Sequence, residues 1–174
     1  GESWDQLIEG PFLSNNTLDL HQVQVSAAAP DTVHIATQTA MFRSRDRGYH
    51  WEHVQVDAMF PGGSYCRDLL VAPNDPETIY LAAGAGGGGA APADTVHAGA
   101  LFRSRDTGES WARVDLGDFP PGRMMQIAID LANPSRVCCA ACSGEVYNSA
   151  DGGQSWDKSV LPVVTSRSLH VYPM

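Results

Sequence analysis

Runs rich in β-branched and aromatic residues, each about four to eight long and bounded by Gly, Pro, Asn, Asp or Ser, follow one another along the chain. Runs at 20–27, 32–38, 41–44 and 51–56 predict four strands; 66–72, 77–83, 100–104 and 111–116 repeat them. A third set follows at 125–131, 136–142, 145–149 and 156–161. Alignment on Pro30, Pro76 and Pro134 lays Thr32-Val33-His34-Ile35-Ala36 over Thr78-Ile79-Tyr80-Leu81-Ala82 and Arg136-Val137-Cys138-Cys139-Ala140. Each proline is expected in the turn between first and second strands, where its fixed φ suits the turn and no ladder donor is lost. Trp4, Trp51, Trp111 and Trp156 set intervals of 47, 60 and 45 residues, the length of a four-stranded unit.

The turn before each fourth strand is itself repeated. Ser44, Asp46, Gly48 and Trp51 recur at the same offsets as Ser104, Asp106, Gly108 and Trp111, and as Ser149, Asp151, Gly153 and Trp156; Gly1-Glu2-Ser3-Trp4 is the back half of another copy. Asp accepts local backbone N–H bonds, Gly supplies φ > 0, Ser bonds locally and Trp offers a large apolar body. The motif resembles the Asp-box, or BNR, repeat of sialidases, sortilin-type receptors, xyloglucanases and photosystem-assembly propellers. That resemblance covers nearly the whole chain. It implies an all-β fold, a β-propeller fragment of about three four-stranded antiparallel blades, with the motif as a structural turn on the rim.

The implied organisation is one partial propeller. Residues 1–9 carry the outer strand of a preceding blade, 20–57, 65–117 and 124–161 form three blades, and 166–174 starts the next. A closed propeller takes at least about four blades, so further blades are expected in a longer protein. The middle blade departs from its siblings by the Gly- and Ala-rich stretch 84–99, expected as a surface excursion. It is not a phosphate-binding loop, because no Gly-Lys-Ser/Thr follows.

Charge narrows the partners. The net charge is −9 and Lys158 is the single lysine, which argues against nucleic acid and anionic membranes, both of which need clustered cations. No apolar run reaches the roughly 20 residues of a membrane span. Neither a cofactor motif nor a metal-ligand set stands out. Cys66, Cys138, Cys139 and Cys142 fall on ordinary strand positions and read as core. The histidines at 21, 34, 50, 53, 97 and 170 read as solvated.

The candidate site comes from geometry. In an antiparallel blade the starts of first strands emerge on the same face as the loops joining second and third strands, around the channel. His21 and Gln22, Arg67 and Asp68, Met125 and Gln126, and Arg167 and Ser168 hold equivalent places there. Arg67 could grip a carboxylate or vicinal hydroxyls, making a glycan, peptide or protein the expected ligand. The alternative is a glycoside hydrolase, sialidase- or xyloglucanase-like. It needs paired carboxylates flanking the scissile bond, but Asp68 is the only strand-start carboxylate, with Asp118 a possible loop partner. Glu145 and the other glutamates are expected away from the mouth, no catalytic residue can be assigned, and the Arg-Ile-Pro signature of sialidases is absent.

Overall fold

A computed structural model describes residues 2–3, 19–56, 59–60, 64–86 and 99–162. It is built from three four-stranded antiparallel sheets whose spatial order follows the chain, and no α-helix occurs among the described residues. The first comprises β1 (Leu20–Ser26), β2 (Ala29–Thr37), β3 (Met41–Ser44) and β4 (Glu52–Val54). The second comprises β5 (Ser64–Ala72), β6 (Asp75–Ala85), β7 (Gly99–Ser104) and β8 (Ala112–Arg113). The third comprises β9 (Met124–Ile129), β10 (Val137–Ala141), β11 (Glu145–Ser149) and β12 (Asp157–Val160). The strands expected over 4–9 and 168–172, residue Arg167 and positions 87–98 of the insertion lie outside the described residues.

Two differences from the expected boundaries have local causes. The fourth strands start after their tryptophans; in the second blade the indole belongs to the turn, Trp111 Nε1 donating to the Gly108 carbonyl at 3.1 Å, whereas Trp51 and Trp156 Nε1 are buried without a partner. Pro30 and Pro76 lie just inside β2 and β6 rather than in the turn. Both fall in a register shift, between Ser26↔Ala29 and Val25↔Val33 and between Ala72↔Asp75 and Val71↔Ile79, where no ladder donor is required.

Alternation in β6 explains why the sheets stack. Ile79, Leu81 and Ala83 point into a core shared with Ala36, Met41 and Val54 of the first sheet. Their neighbours Tyr80 and Ala82 point into a second core with Val137, Cys139 and Tyr147 of the third. A strand buried on both faces reads as a nearly continuous apolar run, as β6 does. β1 lies against β5 and β5 against β9, so the first strands of the three sheets run side by side.

The repeated turns tie the far ends of the sheets together. In each, the serine hydroxyl accepts the N–H four residues on, at 2.7 Å for Gly48 and 2.8 Å for Gly108 and Gly153. The aspartate also reaches four residues on, accepting from His50, Ser110 and Ser155 N–H at 2.8 to 2.9 Å. The fourth turn residue then donates to the hairpin between first and second strands: Arg47 to Asp31, Thr107 to Glu77 and Gly152 to Ser135. These turns therefore lie at the end of the sheets opposite the starts of first strands.

Candidate functional site

The starts of β1, β5 and β9 share a feature that residue spacing did not reveal. In β1, Leu20 pairs with Thr37 and Gln22 with Ala36, leaving His21 unpaired. In β5, Cys66 pairs with Ala83 and Asp68 with Ala82, leaving Arg67 unpaired. In β9, Met124 pairs with Ala141 and Gln126 with Ala140, leaving Met125 unpaired. Each first strand thus carries a bulge at the same place, a device that re-aims a side chain and ends regular pairing. The three bulges hold three different chemistries, an imidazole, a guanidinium and a thioether.

The residues after the bulges join the blades. Asp68, buried, accepts Gln22 Nε2 at 2.8 Å and its own neighbour Leu69 N–H at 2.9 Å on Oδ1. Its Oδ2 accepts Ile127 N–H at 2.7 Å. One carboxylate therefore bonds all three blades, through groups contributed by β1, β5 and β9. Gln126 is exposed, and its amide donates only to its own neighbour, the Met125 carbonyl, at 3.2 Å.

His21 is not solvated as its sequence context suggested; its side chain is 5% exposed. Nδ1 lies 2.6 Å from the Cys66 carbonyl and Nε2 3.2 Å from Asp19 Oδ2, so β1 is fastened to β5 here. Its ring meets Tyr65 at 5.4 Å between centroids. The Arg123 guanidinium lies 4.4 Å over the same tyrosine and donates to the Ala85 and Gly86 carbonyls. At the other root of the insertion, Gly99 receives Arg113 Nη2 on its carbonyl at 3.1 Å. A side chain at Gly99 would strike the Gly122 carbonyl at 2.1 Å, so only glycine permits this approach. Arg67, half-buried, has no hydrogen-bond or ion-pair partner among the described residues.

Three placements correct the sequence expectations. Glu145 starts β11 beside the β10–β11 hairpin, at the mouth end, and its carboxylate is held by the Ser143 hydroxyl. In an antiparallel sheet a third strand starts at the same end as a first strand, so Glu145 belongs with the starts of β1, β5 and β9. Asp118 is not a partner for Asp68: Tyr147 Oη donates to it at 2.7 Å and Lys158 Nζ binds its second oxygen. Those two contacts, Lys158 first, hold the Asp118 carboxyl below its ordinary pKa. Of the cysteines, Cys66 and Cys139 are core, their thiols pushed up to about 12 by burial. Cys138 is half-buried on the outer face of the third sheet and Cys142 is exposed at its hairpin, because the blade's outer face and hairpin tip have no sheet over them. All four are free thiols.

Among the described residues two open clefts lie away from the bulges. One of about 480 Å³ sits on the outer face of the third sheet, lined by Asp130, Arg136, Cys138, Asn148 and Asp157 among others. The other, about 320 Å³, is enclosed by the loop 113–119. Among the described residues no group of three or more His, Cys, Asp or Glu is placed to hold a metal ion, and no helix is long and apolar enough to cross a membrane.

No protein-family model matches the chain. A xyloglucanase of a Paenibacillus species is 28% identical over 165 residues, covering 73% of this chain and 15% of that protein. The crystal structure of the GH74 xyloglucanase from Xanthomonas campestris superposes with a TM-score of 0.62 at 21% identity, over 81% of this chain and 21% of that one. YCF48 bound to D1 peptide superposes at 0.57 with 15% identity, over 82% of this chain and 40% of that one. The fold is that of a β-propeller. The chain spans less than a fifth of the curated relatives it matches. Its three sheets are blades, and the bulged strand starts lie at one end of them, opposite the repeated turns.

Proposed function

We propose that this chain is a segment of an Asp-box (BNR) β-propeller that binds a glycan on its channel face without cleaving it, with Arg67 as the principal contact. The observation that carries this reading is Arg67 itself: a half-buried guanidinium at a bulge beside the inner strands, with no acceptor among the described residues. Its planar fork suits two neighbouring hydroxyls or a carboxylate. Met125 and Gln126 one blade on supply an apolar and an amide surface, and Gln22 lies one blade back. Asp68 and His21, with their polar atoms spent on neighbouring groups within and between blades, act as positioning residues that fix the bulges. Glycan as ligand is supported by the xyloglucanase relatives, whose similarity covers most of this chain. A peptide is the other ligand in view, since one structural neighbour is a peptide complex.

The second reading, a xyloglucanase-like hydrolase, is favoured by the same relatives. It needs two free carboxyl groups about 5 to 9.5 Å apart, whereas Asp68, Asp118 and Glu145 each carry hydrogen bonds from neighbouring groups. Titration calorimetry of the full-length protein with xyloglucan oligosaccharides, alongside reducing-sugar release, separates the two readings. The expected result is heat of binding, no sugar release, and at least about a tenfold weaker affinity in Arg67→Ala, equivalent to about 1.4 kcal/mol. Arg105→Ala, at the turn end, should bind as the parent does. Equal losses from both variants would sink the proposed face, and sugar release would establish the hydrolase.

A further inference from the structure

Among the described residues His34 is the one histidine whose ring is buried with nothing to bond. It is 2% exposed, and neither Nδ1 nor Nε2 has a hydrogen-bond partner. It lies on β2, between Gln24 of β1 and Arg43 of β3 in the ladder. With Ala36 it occupies the face turned to the second blade, since Tyr80 and Ala82 hold the matching positions toward the third.

The matching junctions show what this position does. Between second and third blades, Tyr80 Oη and Arg103 Nη1 both donate to the Gly152 carbonyl in the third turn, at 3.2 and 3.3 Å. Between first and second blades, Arg43 Nη1 alone donates to the equivalent carbonyl, Thr107, at 2.6 Å. Arg43 is held in place by Glu52 and Glu109, each at 2.7 Å from Nη2, and Arg45 shares Glu109. His34 therefore sits where the sibling blade has a hydroxyl donor, beside a guanidinium and near a carbonyl, with its own donors unused. The charged groups around it are Arg43 and Arg45, and the two glutamates nearby are already committed to those arginines.

We propose that His34 is an acid-operated release for the junction between the first and second blades: taking a proton from solvent, the ring becomes a cation that repels Arg43 and competes with it for the Thr107 carbonyl. Burial, and then the charge of Arg43, lower the His34 pKa from 6.5 to about 4; the Thr107 carbonyl opposes this without making a hydrogen bond to the neutral ring. The folded-state value lies below the unfolded one. The junction is therefore at full strength above about pH 6.5 and weakens as pH falls toward 4. The gap between those values limits the loss to about 300-fold. The turn aspartates do not confuse this window. Bonds from His50 hold Asp46, and bonds from Ser110 hold Asp106, at about 2, so their contribution is present above about pH 4 and is lost only as pH falls from there toward 2.

Hydrogen exchange followed by mass spectrometry on the full chain, at pH 7 and pH 4.5 and corrected for intrinsic rates, tests this. Segments 41–54 and 101–111 should lose protection by tens of fold at pH 4.5, while 137–149 in the third blade changes little. His34→Tyr, which copies the sibling blade, and His34→Gln, which cannot titrate, should both abolish the selective loss. The proposal is overturned if either folded variant keeps the pH-dependent loss, or if protection falls evenly across the three blades.

Discussion

Thr107 shows how much one backbone angle matters. It sits at φ 58°, and Arg47 holds the matching place in the first turn at φ 64°, both in the left-handed region that side chains disfavour. The third turn solves the same problem with Gly152 at φ 71°. The following residue is glycine in all three turns because its φ is 94°, 91° and 79° at Gly48, Gly108 and Gly153, where a side chain is strained; a Cβ on Gly108 would make only ordinary contacts with Val54 and Met41, at 3.6 and 3.7 Å. A left-handed non-glycine residue costs about 1–2 kcal/mol, and glycine's extra freedom in the unfolded chain returns about 0.5–1 kcal/mol of that. Thr107→Gly should therefore raise stability by about 0.5–1 kcal/mol in urea unfolding. A neutral or negative change would mean that the Thr107 hydroxyl, which donates to the Asp106 carbonyl at 2.6 Å, outweighs the strain.

Among the elements, β5 decides both cohesion and site geometry. Its bulge at Arg67 puts Asp68 where one carboxylate meets amides of the strands on either side. Asp68→Ala leaves the buried Ile127 N–H and the Gln22 amide without their acceptor, a loss of about 3 kcal/mol for bonds to a charged group. Asp68→Asn can keep either the oxygen that accepts from Gln22 and Leu69 or the one that accepts from Ile127, its other atom being a donor, and should fall between. Equal melting curves for parent and Asp68→Ala would refute the clamp. The strands, their order and the turns were legible in the sequence because Pro30, Pro76 and Pro134 and the Ser, Asp, Gly and Trp spacings repeat with the blades. The bulges were not, because an unpaired residue leaves no mark when His21, Arg67 and Met125 share no chemistry. For the same reason Asp68 looked like a ligand contact: partners 46 and 59 residues away in sequence become visible only once the blades are stacked. His34 was misjudged as solvated because alternation alone does not say which face of a blade its neighbour will cover.

At the scale of the molecule, the two outer blades are unequal partners of the middle one. The middle blade is covered on both faces, by the first core on one side and the second on the other. The first blade instead presents Val23 and Val25, each 51% exposed, on the face paired with Ile35 and Val33 and turned away from its neighbour. The third blade presents the outer-face cleft with Cys138. These surfaces are shaped alike to the faces that stack inside, since Cys138 and Asn148 stand where Tyr80 and Arg103 grip the next turn. Repeat units stack through such faces, and an uncovered one binds whatever complementary face it meets. The 174-residue chain produced alone should therefore self-associate at micromolar concentration, first blade to third, giving head-to-tail assemblies that grow with concentration. The pair Val23→Lys and Val25→Lys places two charges on the first blade's free face without touching the stacked one. It should shift the light-scattering mass back toward the monomer while leaving the circular dichroism of the sheets unchanged. A parent chain that stays monomeric across the concentration range, or assemblies indifferent to the two lysines, would show that these faces do not drive association.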